Sequence, residues 1–270
     1  MLASPGTLGA VRRVPLDRAG ARWALLREPG GLDEEGVAGR GTLEAIRLLD
    51  RLLVDEPGTC VRPGSAASLS LPERDLLLAA AWRMAHGPKI AGTLTCGSCR
   101  SPFDFDFNLD ELVDKVRSAT GDLPAQDGVY VLPGGCRFRL PTGEDESALV
   151  GLAEEDAERA LLARCLIEGD PVRDGPEALA AMEQVGSGVD VDIAAECSEC
   201  GHLHSVRFQI QGYLLGALAN EWSDLVEDVH RLAVAYRWSL HEILSLPRSR
   251  RRAFVALLIG DSLPRTREAP

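Results

Sequence analysis

Two Cys-x-x-Cys pairs carry the clearest chemistry in this sequence, Cys96-Gly97-Ser98-Cys99 and Cys197-Ser198-Glu199-Cys200. Thiolates are strong ligands for a borderline-soft cation, and a Cys-x-x-Cys turn can aim two sulfurs at one ion. Two such turns complete a tetrahedron, so the expectation is one zinc site built from Cys96, Cys99, Cys197 and Cys200. A catalytic zinc keeps a position open for water or substrate. Four thiolates leave none, and the centre should contribute folding energy instead of reaction chemistry. A redox dithiol is the competing use, but it calls for a Cys-x-x-Cys that opens a helix. Here an alternating, strand-like pattern follows each pair: Phe103, Phe105, Phe107 and Leu109 after the first, Val206, Phe208 and Ile210 after the second. Counted from the second cysteine of each pair, Phe105 falls with Val206, Phe107 with Phe208 and Leu109 with Ile210. One unit, a knuckle feeding a strand, is expected twice.

Of the seven cysteines, Cys60, Cys136 and Cys165 remain. Cys165 lies in an apolar helical stretch and reads as a small core residue. Cys136 lies in a strand and is a reserve ligand. His202 and His204 flank the second knuckle and read as solvated or outer partners of the site. Other constellations fall short. His241-Glu242 opens like a zinc-protease helix, but Ser245 stands where the second histidine belongs. Gly186-Ser187-Gly188 lacks the further glycine and helix start of a phosphate loop. No serine occupies a Gly-x-Ser-x-Gly context. Glu144, Asp145 and Glu146 read as the first turn of a helix capped by Thr142. The protein is not expected to be an enzyme.

The elements that must position the cysteines follow from periodicity and punctuation. Residues 1–40, rich in Gly, Pro and charge, read as an extended or partly disordered arm. A helix is expected over 42–54, with Leu43, Ile46, Leu49 and Leu53 near one face. A second starts at Ser70, where Ser70 and Glu73 have capping-box spacing and Pro72 suits the first turn. It ends at His86-Gly87-Pro88, with His86 against the helix dipole. After the first knuckle and a helix over 109–118, Val129–Val131 and Cys136–Leu140 read as a hairpin with Phe138 and Leu140 inward. Helices are expected near 145–150, 154–168 and 176–185. Asp190 and Asp192 alternate with Val189, Val191 and Ile193 and should face solvent. From 212 to 259 the pattern is helical, with a stripe of Leu225, Val229, Leu232, Ala233 and Tyr236 and a capping box at Ser239 and Glu242. The fold class is α+β and helix-rich. The arm over 1–40 precedes a zinc-knuckle domain over 41–210, a helical region over 211–260 and a tail over 261–270.

The chain has 270 residues, 45% hydrophobic, and a net charge of −12. That charge argues against broad binding to nucleic acid or anionic membranes. No run is long enough to span a bilayer, and residues 1–20 show no signal-peptide pattern. A cytoplasmic location with reduced thiols is expected. One dense basic patch stands out, Arg248, Arg250, Arg251 and Arg252. It reads as a face for an acidic partner protein, with Trp238 as an interface anchor. A zinc-ribbon DNA-binding or transcription-related module is the alternative use of the same arginines.

The two knuckles enclose a segment Phe-Arg-Leu-Pro-Thr-Gly-Glu-Asp-Glu over 138–146. The second is followed over 228–252 by Asp-Val-His-Arg-Leu-Ala-Val-Ala-Tyr-Arg-Trp-Ser-Leu-His-Glu-Ile-Leu-Ser-Leu-Pro-Arg-Ser-Arg-Arg-Arg. Over residues 70–260 this arrangement resembles the zinc-knuckle baseplate and hub-assembly proteins of T-even-type contractile phage tails and of phage tail-like contractile injection systems. The closing segment is its most specific part. The resemblance implies a non-enzymatic assembly factor or structural component, with tail, hub or tape-measure proteins as partners.

Overall fold

The computed structural model describes residues 10–17, 20–119, 121, 123, 125–126 and 128–262. In chain order it begins with β1 (Val11–Pro15), β2 (Trp23–Arg27), α1 (Gly31–Glu35), α2 (Thr42–Leu52) and α3 (Leu71–His86). Then come β3 (Lys89–Thr95), β4 (Pro102–Asn108) and α4 (Leu109–Ala119). Strands β5 (Ala125–Gln126), β6 (Val129–Val131) and β7 (Arg137–Arg139) lead to α5 (Gly143–Ala148), α6 (Glu154–Cys165), β8 (Leu166–Glu168) and α7 (Gly175–Val185). The chain continues through β9 (Asp190–Glu196), β10 (Leu203–Gln209), α8 (Ile210–Asn220), α9 (Trp222–Tyr236), α10 (Leu240–Leu244) and α11 (Arg248–Ser262). All strand pairs are antiparallel: β1–β2, β3–β4 and β9–β10 are separate hairpins, and β5-β6-β7-β8 is a four-stranded sheet. Helices combined with small antiparallel sheets make the fold α+β.

Helix α3 forms the centre because its sequence is apolar nearly all round: Leu77 to Trp82 are all buried. It packs in one core with Val14, Ala24 and Leu26 of the first hairpin, Leu48, Leu49 and Leu52 of α2, and Leu214, Leu215 and Leu218 of α8. A second core joins Phe138, Leu140, Leu162, Cys165, Met182 and Val185, closing the four-stranded sheet against α6 and α7. A third surrounds the knuckles, and a fourth unites Leu232, Ile243 and Val255 of α9, α10 and α11. Three capping boxes begin helices where their spacing suggests: the backbone N–H groups of Ser70, Thr142 and Ser239 donate to Glu73, Asp145 and Glu242 at 2.9, 2.9 and 2.8 Å.

Several expectations are corrected. Residues 10–17 and 20–40 are not an arm: β1 and β2 pair in register, with Val14 opposite Ala24, and Val14, Leu16, Ala24 and Leu26 are buried. Residues 1–9 of that expected arm lie outside the described residues, as does the expected tail from 263 onward. Helix α8, assigned to a separate C-terminal region, belongs to the main core. The helix expected over 154–168 stops at Cys165, and the chain continues as β8 beside β7. Leu43 faces solvent, while Ala45 and Leu48 take the inward positions on α2. His86 does end α3, as expected, and in addition stacks on Trp82 and reaches Glu221 of the polypeptide just before α9, at 3.2 Å.

Helix α3 also buries two charged groups that its apolar pattern does not announce. Arg74 donates to Glu146 at 2.9 Å, while Asp75 accepts the Val189 N–H at 2.7 Å and so pins the chain entering β9. Burial pushes the Asp75 carboxyl up to about 6, partly offset by the Val189 N–H and Arg74. The folded chain therefore holds this proton across a window in which the unfolded chain has released it. Stability should fall as pH rises from about 4 to about 6, by roughly 3 kcal/mol, and then level off. Asp75→Asn keeps an acceptor for Val189 and cannot ionise. Comparing urea midpoints of wild type and D75N between pH 4.5 and 7.5 should show the variant gaining on the wild type across this window. A constant difference between the two would refute the assignment.

Candidate metal centre

The cysteines are carried by two hairpins of equal proportions. Strands β3 and β4 are seven residues each and lead into an eleven-residue helix, α4; β9 and β10 are seven residues each and lead into an eleven-residue helix, α8. The strand before the first knuckle escapes sequence reading, since Lys89–Thr95 contains only Ile90 and Leu94 as large apolar residues. The strand alternation aims Leu94, Phe103, Phe105 and Phe107 of one hairpin at Ala195, Val206 and Phe208 of the other, and turns Asp104, Asp106 and Asp192 outward. Phe107 meets Phe208 edge-on at 5.0 Å. Gly92 is required by this packing: a Cβ there would lie 2.8 Å from the Phe105 ring.

The knuckle turns share one backbone pattern. In the first, the Cys96 N–H donates to Ser101 O and the Arg100 N–H to Cys96 O. In the second, the Cys197 N–H donates to His202 O and the Gly201 N–H to Cys197 O, all at 2.9 Å. The residue after each second cysteine turns left-handed, with φ of 63° at Arg100 and 69° at Gly201. The closest sulfurs belong to different hairpins: Cys96 to Cys200 is 3.6 Å and Cys99 to Cys197 is 3.8 Å. All four lie within 4.8 Å of one another. A tetrahedron with metal–sulfur bonds of about 2.3 Å has edges of about 3.8 Å, so the set fits a single metal ion. Among the described residues no other group of three or more His, Cys, Asp or Glu side chains is placed to hold one.

The electrostatics suit thiolates that face a cation. The Ser101 backbone N–H and hydroxyl bring the Cys99 thiol down to about 6, and the Cys99 N–H lowers Cys96. At Cys200 the His202 N–H acts in the same direction but is outweighed by desolvation and the neighbouring sulfurs, which push the thiol up to about 12. Four sulfurs this close resist full ionisation until a positive ion sits among them. His204 is an outer partner: its Nε2 lies 3.3 Å from Cys96 Sγ, and its ring is held against Phe103 and His202 at 5.1 and 4.8 Å.

No family model, curated protein or solved structure matches this chain. The remaining candidates are therefore placed by geometry alone. Cys136 and Cys165 are buried in the second core, away from the four sulfurs, so Cys136 is not a ligand. Burial pushes the Cys165 thiol up to about 11 and leaves it inert. Cys60 is exposed and outside the cluster. Cys60→Ser should leave bound metal unchanged and move the unfolding midpoint by no more than about 0.5 kcal/mol. Metal analysis and thermal melts of the purified variant check both.

The basic patch is the main correction. Arg251 is fully buried, donating to Glu34 at 2.6 Å and Asp228 at 3.3 Å. Arg248 is buried between Glu34 and Glu221, at 3.3 and 2.7 Å. Arg252 pairs with Asp224 and Asp228, at 3.3 and 3.4 Å. Arg248 and Arg251 are thus internal counter-ions and Arg252 a partly exposed one; together they tie α11 to α1 and α9 and do not form an open basic face. The DNA-reading alternative called on the same four arginines, of which Arg248 and Arg251 are buried. Arg250 is exposed, and Trp238 is half-buried against Tyr236 and Phe254 at 4.9 and 5.1 Å.

Proposed function

We propose that this protein is a non-enzymatic, zinc-stapled assembly factor or structural component of the tail or baseplate hub of a phage tail-like contractile injection system. The observation that carries the structural half is the closed four-thiolate arrangement. It occupies every corner of a tetrahedron and joins chain segments about a hundred residues apart, which suits a staple and leaves no corner for substrate. Zinc is the ion of choice because four thiolates select it over harder cations. The equal proportions of the two hairpin-plus-helix segments support reading them as one unit built twice.

The system is inferred from the resemblance over residues 70–260. Both quoted segments supply joints of the fold, a reason for their residues to recur together. In 138–146, Phe138 is a core ring, Asp145 binds Arg139 and Arg164, and Glu146 binds Arg74. Gly143 packs closely on α2: a Cβ there would lie 2.6 Å from Ile46 Cδ1, so that side chain would have to shift. In 228–252, Asp228, Arg248 and Arg251 form the buried ion network. Among the described residues no helix is long and apolar enough to cross a membrane, which suits a cytoplasmic assembly role. Affinity purification from the native host should recover tail, hub or tape-measure subunits in amounts that follow this chain. Recovery of none, together with normal particles in a deletion strain, would overturn the reading.

A further inference from the structure

With Arg248 and Arg251 buried and Arg252 paired with Asp224 and Asp228, the outer side of the closing segment is a different surface. Tyr236, Trp238 and Phe254 form an aromatic triad with ring separations of 4.9, 5.1 and 5.9 Å. Phe254 is flanked on its own helix face by Arg250 one turn before and Leu257 one turn after. Leu257 is 60% exposed, and Leu240, two residues past Trp238, is 58% exposed. Half-buried aromatic rings beside exposed leucines and arginines are the composition of an interface centre.

Two cations border this platform, Arg237 and Arg250. Both are exposed, and neither makes an ion pair among the described residues, although the chain carries a net charge of −12 and its neighbouring arginines are all neutralised. The nearby Glu242 carboxylate is already engaged by the Ser239 N–H and hydroxyl. Arg237 also ends α9 in a left-handed conformation, φ 59°. Glycine is the unstrained choice there, because an L side chain crowds the following carbonyl. An arginine held at that position, next to Trp238, is a strain that folding alone does not call for.

We infer that the Tyr236–Trp238–Phe254 platform, with Leu240, Leu257, Arg237 and Arg250 around it, docks an acidic segment of a partner protein whose large apolar side chains sit between carboxylates. The rings and leucines take the apolar side chains, and the two guanidinium groups take the carboxylates in forked hydrogen bonds. This rests on the proposed role as an assembly protein and identifies the surface that role would use.

The test is photo-crosslinking in the native host from a reactive side chain placed at position 257, with position 172 as control, since Val172, between β8 and α7, is 89% exposed. The expected product is a cross-link from 257, absent from 172, to a peptide with net negative charge. Arg237→Glu/Arg250→Glu should lower its yield at least tenfold. Arg237→Gly should lower it several-fold while leaving the melting temperature unchanged or raised, a combination that a purely structural role does not produce. A cross-link to a second copy of this chain, to a neutral or basic peptide, or at the control level would overturn the inference. So would full yield from the double variant with its metal content intact. If tail subunits co-purify but do so equally well with the double variant, the docking surface fails and the proposed function stands. If an acidic peptide cross-links but belongs to no tail subunit, the proposed function fails and the surface stands.

Discussion

Cys99→Ser should reduce bound metal from one equivalent to less than about a tenth and unfold both hairpins together. Cys99 sits 3.8 Å from Cys197, across the interface between the hairpins, so losing its sulfur opens the shared tetrahedron and not one knuckle alone. The apolar cluster beneath it is small: Cys96, Phe103, Ala195 and Cys197, with Leu94, Phe105 and Val206 alongside. Two-stranded hairpins are marginal in water by themselves, so most of the local stability is expected to come from an ion held by the four sulfurs. Structural zinc supplies on the order of 10 kcal/mol in small domains. That exceeds what this cluster can replace. Hydrogen exchange should show 89–108 and 190–209 losing protection as one unit, while α2 and α3 remain protected by the main core. Treating the wild type with a chelator should reproduce the pattern. Retention of a full metal equivalent by C99S would show that the ligand set is wrong.

Arg251→Ala should be the most damaging substitution outside the metal centre, costing about 3–5 kcal/mol. The guanidinium is fully buried between Glu34 and Asp228. Removing it leaves Glu34 with Arg248 alone and Asp228 with the partly exposed Arg252 alone, two buried carboxylates each short of a counter-ion. For a chain of this size the melting temperature should drop by roughly 10 °C. Arg251→Met combined with Glu34→Gln removes opposite charges together and should recover part of the loss, because an unpaired buried charge costs more than an absent pair. Thermal melts of the three proteins decide it. A drop of under 2 °C for R251A would mean that water reaches this site.

These joints mark the limit of what sequence could reveal. The ligand cysteines, the three capping boxes and the 129–140 hairpin were legible because each signal lies within a few residues. The arginine cluster was misread for the opposite reason. A run of charges looks like a solvated face, and the carboxylate that buries Arg251 lies 217 residues away. The first hairpin was missed because Val11–Pro15 and Trp23–Arg27 are short and carry arginines. Their strand character comes from packing against α3, not from local pattern. Lys89–Thr95 was missed because its hairpin partner supplies most of the apolar side chains.

The spacing of the four sulfurs along the chain also fixes an order of events. The first knuckle offers only two ligands; Cys197 comes 98 residues after Cys99, and Cys200 comes 104 residues after Cys96. A ribosome that has released Cys96 and Cys99 must translate the segment from α4 to β9 before Cys197 and Cys200 emerge. The second core lies wholly within that segment, inside a ring that is still open. Capture of the ion is then a late, ring-closing step that takes place only on chains synthesised past residue 200. Metal loading would then report completion of that part of the chain, since a copy truncated before Cys197 lacks half of the ligand set.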